Sequence, residues 1–290
     1  MHGAGIMVGI KDACDKHNLA LHDLFHATVG SSAGAFNLAY LHAGNPELGA
    51  SIYLDLCKGF IRPERLLRTM MANIRRNFLG TCTHNQDDNV VNIDLLVDMA
   101  RNTKPLDTET LRSQQVPLYF ELLSRKTGNV ELVDARQVSD VHAALQSAVT
   151  CEPFYLPQEK GPFVDAGIKE SVGLDRMLKT YEDRKIVLLL NAAIRRSRTL
   201  TNDASNVFYA CMSMITGNPQ YARHFLSKPA SLARVVDMVK ARKTQVLVIS
   251  PSEKSCLKFG TTDPNILQRA FEEGKSRVPE ILQFLGHTAS

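Results

Sequence analysis

His26–Gly44 reads "HATVGSSAGAFNLAYLHAG", and its centre, Gly30-Ser31-Ser32-Ala33-Gly34, decides how the chain folds. A short strand-like run, Ala27–Val29, enters a collar of small residues, and an apolar helical pattern, Ala33–Ala43, leaves it before Gly44 and Pro46. Small residues at such a junction mean that the backbone turns too sharply for larger side chains. The five residues fit G-x-S-x-G with Ser32 central, where a serine is held exposed on a strained strand-to-helix turn. The helix behind it aims free N–H groups and a partial positive charge at the serine, and the Ala33 N–H is placed to donate to an oxyanion. A plainer account is a serine that merely caps the helix with its hydroxyl.

A second strand-to-turn junction lies at "GPFVDAGIKESVGLDRML", where Asp165 ends an apolar run and Ala166-Gly167 follow. A carboxylate there can take the serine proton as general base if the fold joins the two turns. Aspartate before small residues also commonly bonds its own backbone, which is the plainer account of this one.

The rest of the chain alternates helix and strand. Helices are expected at Ile6–His17, with Ile6, Ile10 and Ala13 on one stripe, and at Leu48–Gly59, Pro63–Asn77, Asn92–Arg101, Asp107–Gln114 and Val138–Val149. "VPLYFELLSRKTGNVELVD" reads as a hairpin turning at Thr127-Gly128-Asn129. "KIVLLLN" and "TQVLVIS" are short apolar runs suited to strands covered by helices on both faces. Broken helices between Asn202 and Lys240 and a closing pair over Pro264–Leu285 complete the pattern. With no repeat or long linker, the 290 residues read as one α/β domain.

Composition narrows the function classes. A formal charge of +4 spread over the chain gives no footprint for nucleic acid. Six cysteines (14, 57, 82, 151, 211, 256) show no C-x-x-C pair, so neither a zinc ribbon nor a disulfide framework is expected. His17, His22 and His26 lack the spacing of a metal site. No apolar run reaches membrane-spanning length and no basic-then-apolar leader opens the chain, which leads to the expectation of a soluble, cytoplasmic protein. A Ser–acid–His order is met by His224 and His287, which read as solvated surface histidines. "RPERLLRTMMANIRRNFLG", residues 62–80, is a basic amphipathic helix. Its apolar stripe belongs either in the core or on an anionic membrane surface, which gives a possible peripheral membrane contact. "AIRRSRT" reads as a charged loop.

Taken together, "GSSAGAFNLAYLHAG", "ALQSAVTCEPFYLP…FVDAGIKESV" and "TDPNILQRAFEEGKSR" resemble the patatin-like phospholipase family, bacterial branch, over nearly the whole chain. The resemblance implies a three-layer sandwich with a mostly parallel central sheet flanked by helices. It implies Ser32 as nucleophile and Asp165 as base of a Ser–Asp dyad, a phospholipid or fatty-acyl ester as substrate, and no metal or organic cofactor. Gly30, Gly34, Ala166 and Gly167 stand at the family's motif positions, Ala166 where glycine is usual. The family's oxyanion loop, G-G-G-x-R-G, is matched only at its end: His2 stands at the arginine and Gly3 at the last glycine. The resemblance therefore implies that the first strand and the triple glycine are missing ahead of Met1. It leaves Gly3, Ala4 and Gly5 as backbone donors beside Ala33. A catalytically weak member that binds acyl lipids or a partner protein is the alternative.

Overall fold

The computed structural model describes residues 1–56, 59–80, 85–170, 172–191, 200–255, 257 and 260–287. In chain order the helices are α1 (His2–His17), α2 (Leu21–Leu24), α3 (Ala33–His42), α4 (Pro46–Asp55), α5 (Leu66–Leu79), α6 (Ile93–Asp98), α7 (Thr108–Ser113) and α8 (Val141–Val149). They continue as α9 (Leu174–Thr180), α10 (Leu200–Ile215), α11 (Pro219–Ala241), α12 (Pro264–Ser276) and α13 (Val278–Leu285). The strands are β1 (Thr28–Gly30), β2 (Leu118–Ser124), β3 (Val130–Asp134), β4 (Phe163–Asp165), β5 (Ile186–Leu189) and β6 (Val246–Ile249). The fold class is α/β, as expected. Helix starts follow side-chain caps: Asp107 accepts from the Glu109 and Thr110 amides, and Asp140 from Ala143. The latter bond sets the start of α8 at Val141, three residues after the position expected from apolar periodicity. The "AIRRSRT" segment and Cys57, Cys82 and Cys256 lie outside the described residues.

The strands depart from a mostly parallel sheet. β1 pairs parallel with β2, whereas β3 and β4 both pair antiparallel with it. The reason is local: Thr127-Gly128-Asn129 folds β3 straight back on β2, and a hairpin can only give an antiparallel neighbour. β5 and β6 form a separate parallel pair among the described residues. One edge of β2 carries two strands in succession. β1 occupies its first half, ending with Gly30 opposite Phe120, and β4 its second half, ending with Asp165 opposite Leu122.

Helices cover both faces of each sheet. Leu118, Phe120 and Leu122 of β2 pack on Phe36 of α3 and Leu145 of α8, while Leu123 and Val164 face α10 and α11 through Ala210 and Phe225. In the pair β5–β6, Val187 and Leu189 face α1 and α13, and Ile186 and Leu188 face α9 and α11. That two-sided burial explains the uninterrupted apolar runs in the sequence. α1 crosses α12 at close range. A Cβ on Gly5 would collide with the Phe271 carbonyl, and one on Gly274 with the carbonyl of His2.

The helix within 62–80 departs from the core-facing account. α5 buries Thr69 and Asn73, which bond the carbonyls of Asp88 and Pro153, and exposes Leu67, Met71, Phe78 and Leu79. Its protein-facing side combines these two polar residues with Leu66, which packs on the core.

Candidate active site

At the end of β1 the turn leaves no room for side chains. A Cβ on Gly30 would lie 2.6 Å from the Cα and 2.7 Å from the N of Ala35, both backbone atoms that cannot yield. Two residues on, Ser32 takes φ 52° and ψ −130°, a left-handed conformation rare for a residue with a side chain. It occupies the N-cap position of α3, yet its hydroxyl makes no capping bond. The capping account of Ser32 therefore fails. Behind it the helix closes through the Gly34 amide on Ser31 O at 2.8 Å and the Ala35 amide on Ser32 O at 3.0 Å. The Ala33 N–H finds no acceptor among the described residues. At Gly34, by contrast, a Cβ would meet open space. The first glycine of the motif is required by the fold; the second borders open space.

Asp165 arrives from the opposite direction. β1 and β4 run toward each other along one edge of β2, so the residues after Gly30 and the last residue of β4 converge beside Glu121. The Asp165 carboxyl is buried, with Oδ1 accepting from the Gly167 amide at 2.7 Å. The turn account is thus true of one oxygen, and the second takes no bond from the turn. Burial raises the carboxyl to about 6, against the bond from Gly167, the hydroxyls of Ser32 and then Ser31, and the Lys228 ammonium, which all favour the anion. The serine hydroxyls lie close enough to act on the carboxyl without closing a well-formed hydrogen bond. Ala166 is buried in the 3-10 turn that follows.

Three groups around this pair were not singled out by motif. Lys228 on α11 stands over the Phe225 ring at 4.5 Å, and burial depresses its ammonium to about 8 while Asp165 supports its charge. It lies on the stripe that begins Tyr221, Phe225, so a lysine on an apolar helix face was the available signal. Glu121, opposite the gap between β1 and β4, is buried and raised to about 7, mainly by desolvation. Arg176, which also meets Glu170, bonds it at 2.8 Å. Arg125 grips the buried Glu152 through two bonds of 2.7 and 2.8 Å and touches Tyr221 OH at 3.2 Å, tying the segment ahead of β4 to α11.

Other expected donors are elsewhere. Gly3, Ala4 and Gly5 form the first turn of α1 rather than a loop, and the Gly5 amide is spent on Met1 O at 2.9 Å. Their small size serves packing: Gly3 sits against Asn37 and Asn191, and Gly5 against Phe271. His2 is fully buried with neither ring nitrogen bonded, and burial lowers it to about 4, which keeps it neutral. Among the described residues no histidine is bonded to Ser32 or Asp165, and none of His17, His22 and His26 belongs to a metal-binding group. His224 lies on α11 with its imidazole lowered by burial, then by Lys169 and Lys228. No described helix is long and apolar enough to cross a membrane. No family model and no curated protein matches the chain.

Proposed function

We propose that this chain is a serine acyl hydrolase of the patatin-like kind, acting on a phospholipid or other fatty-acyl ester from the cytoplasmic side, with its helices and strands arranged as a variant of that family's three-layer sandwich. One observation carries the reading: a serine held at φ 52°, its hydroxyl not spent on capping, faces a buried carboxyl whose pKa of about 6 suits a general base near neutrality. Ser32 Oγ attacks the ester carbonyl and gives its proton to Asp165. The tetrahedral oxyanion develops toward the Ala33 N–H and the start of α3. Collapse expels the alcohol, which takes the proton from Asp165 and leaves an acyl-serine. Water then loses a proton to Asp165, attacks the acyl-serine, and releases the fatty acid as the proton returns to Ser32. The scheme requires no metal or organic cofactor.

A fluorophosphonate probe tests it. Ser32 should be labelled and Ser31 not, since only the central position has the strained, presented backbone. Labelling that persists in Ser32→Ala, or is absent from the folded wild type, overturns the assignment. The second reading, a weak or inactive member that binds acyl lipids or a partner, draws on the helical fate of Gly3–Gly5, which spends the Gly5 amide on Met1 O instead of holding it in a loop. It predicts labelling without multiple turnover on nitrophenyl esters.

A further inference from the structure

α5 and α10 are amphipathic in an unusual sense: each turns apolar side chains outward. Along α5, Leu67 is 70% and Phe78 is 65% exposed, with Met71 between them on the same face. α10 exposes Val207 and Phe208 and, seven residues on, Met214 and Ile215. The two helices meet. Asn77 Nδ2 donates to Thr216 O at 2.6 Å, and Gly217 packs against the Phe78 ring, so the end of α5 abuts the end of α10. The inner side of the same α10–α11 hairpin covers Val164 and Ile168, the neighbours of Asp165. An apolar outer surface therefore lies on the elements that roof the candidate site.

Its charge is mainly positive. The charged residues of α5 are Arg68, Arg75 and Arg76, and α11 adds Arg223, Arg234 and Lys240 against Asp237, while α10 carries Asp203 and no lysine or arginine. Arg68 meets Asp88 from outside these helices at 3.4 Å, while Arg223 and Arg234 are exposed. A cation-rich apolar face fits an occupant that offers both hydrocarbon and negative charge. A second copy of this chain offers the wrong charge, since a two-fold contact would set these cations against each other.

We propose that the outward faces of α5 and α10 dock the protein on an anionic phospholipid bilayer, with the apolar ridge entering the headgroup layer and the arginines meeting lipid phosphates. This holds whatever chemistry Ser32 performs, so it is tested in Ser32→Ala protein, where hydrolysis cannot alter the lipid.

Co-sedimentation with vesicles of phosphatidylcholine mixed with phosphatidylglycerol should show binding, at least tenfold weaker with phosphatidylcholine alone and weakened by salt. Leu67→Ser with Phe78→Ser, and separately Phe208→Ser with Met214→Ser, should each reduce binding at least tenfold while the thermal midpoint stays put, because these side chains are exposed. Arg75→Gln with Arg223→Gln, which leaves the ridge intact, should weaken binding to the anionic vesicles by a factor of about 25, near fivefold per charge. Equal binding to both vesicle types, no binding, or full binding by folded ridge variants overturns the proposal. So does a concentration-dependent dimer that the ridge variants abolish, which would assign the face to a second copy.

Discussion

Ser32 holds a backbone conformation that its side chain opposes, a cost of about 1–3 kcal/mol for a residue other than glycine. Removing the hydroxyl and removing the strain are separable experiments. Ser32→Ala keeps the Cβ and the strain; Ser32→Gly removes both hydroxyl and Cβ. Both should abolish probe labelling, but Ser32→Gly should melt higher than Ser32→Ala, by roughly 1 kcal/mol once the entropy of an added glycine is deducted. Equal melting of the two would mean that the turn carries no strain. Asp165 makes the complementary case. Its folded pKa of about 6 lies above the ordinary 3.8, so between those values the folded state binds the extra proton and stability falls as pH rises. On the proposed dyad, labelling of Ser32 should climb with pH through about 6 as Asp165 ionises. Lys228→Met removes a cation that favours the anion, so that limb should move to higher pH. Asp165→Asn should abolish turnover and, by relieving the buried charge, raise stability at neutral pH by up to about 3 kcal/mol. A limb that stays in place in Lys228→Met would detach that lysine from Asp165.

At the scale of elements, glycines do different work from what their motifs suggest. The pair in G-x-S-x-G divides cleanly. Gly30→Ala drives a Cβ into the backbone of Ala35 and should cost on the order of 2 kcal/mol or more, seen in the thermal midpoint. Gly34→Ala enters open space, so the protein should melt normally, while probe labelling by a bulky fluorophosphonate slows. If Gly34→Ala melts as low as Gly30→Ala, the space beside Ser32 is not an approach to the site. The glycines of α1 look in sequence like the end of a loop, because glycine is usual where a chain turns. Gly5 packs on Phe271 of α12, more than two hundred positions away, and Gly3 on Asn37 and Asn191, and nothing local announces these partners. α5 misled in the opposite way. Its periodicity was plain, but periodicity locates an apolar face without saying what covers it, and Thr69 and Asn73 made better bonds inward than leucine made contacts.

Across the whole molecule, the alternation of helix and strand was readable because the apolar periods of 2 and 3.6 are local properties. The serine and aspartate turns were readable for the same reason: each is a short run of small residues at an element's end. Lys228, Glu121 and Arg176 were not flagged, since their significance lies in Asp165, which is distant in sequence from two of the three. The mixed pairing of β2 was half legible, in the hairpin turn, and half hidden, since β4 returns to the same edge after a long excursion. That shared edge has a metrical consequence. The spacing between Ser32 and Asp165 is set by neither of their own strands but by the length of β2 between Phe120 and Leu122, a single residue. β2 is a ruler with one division, at Glu121. One residue inserted there would add about 3.3 Å between the two strand ends and turn one of them to the opposite face of the sheet. Tolerance to insertion therefore falls to its minimum in the middle of a strand that carries neither Ser32 nor Asp165.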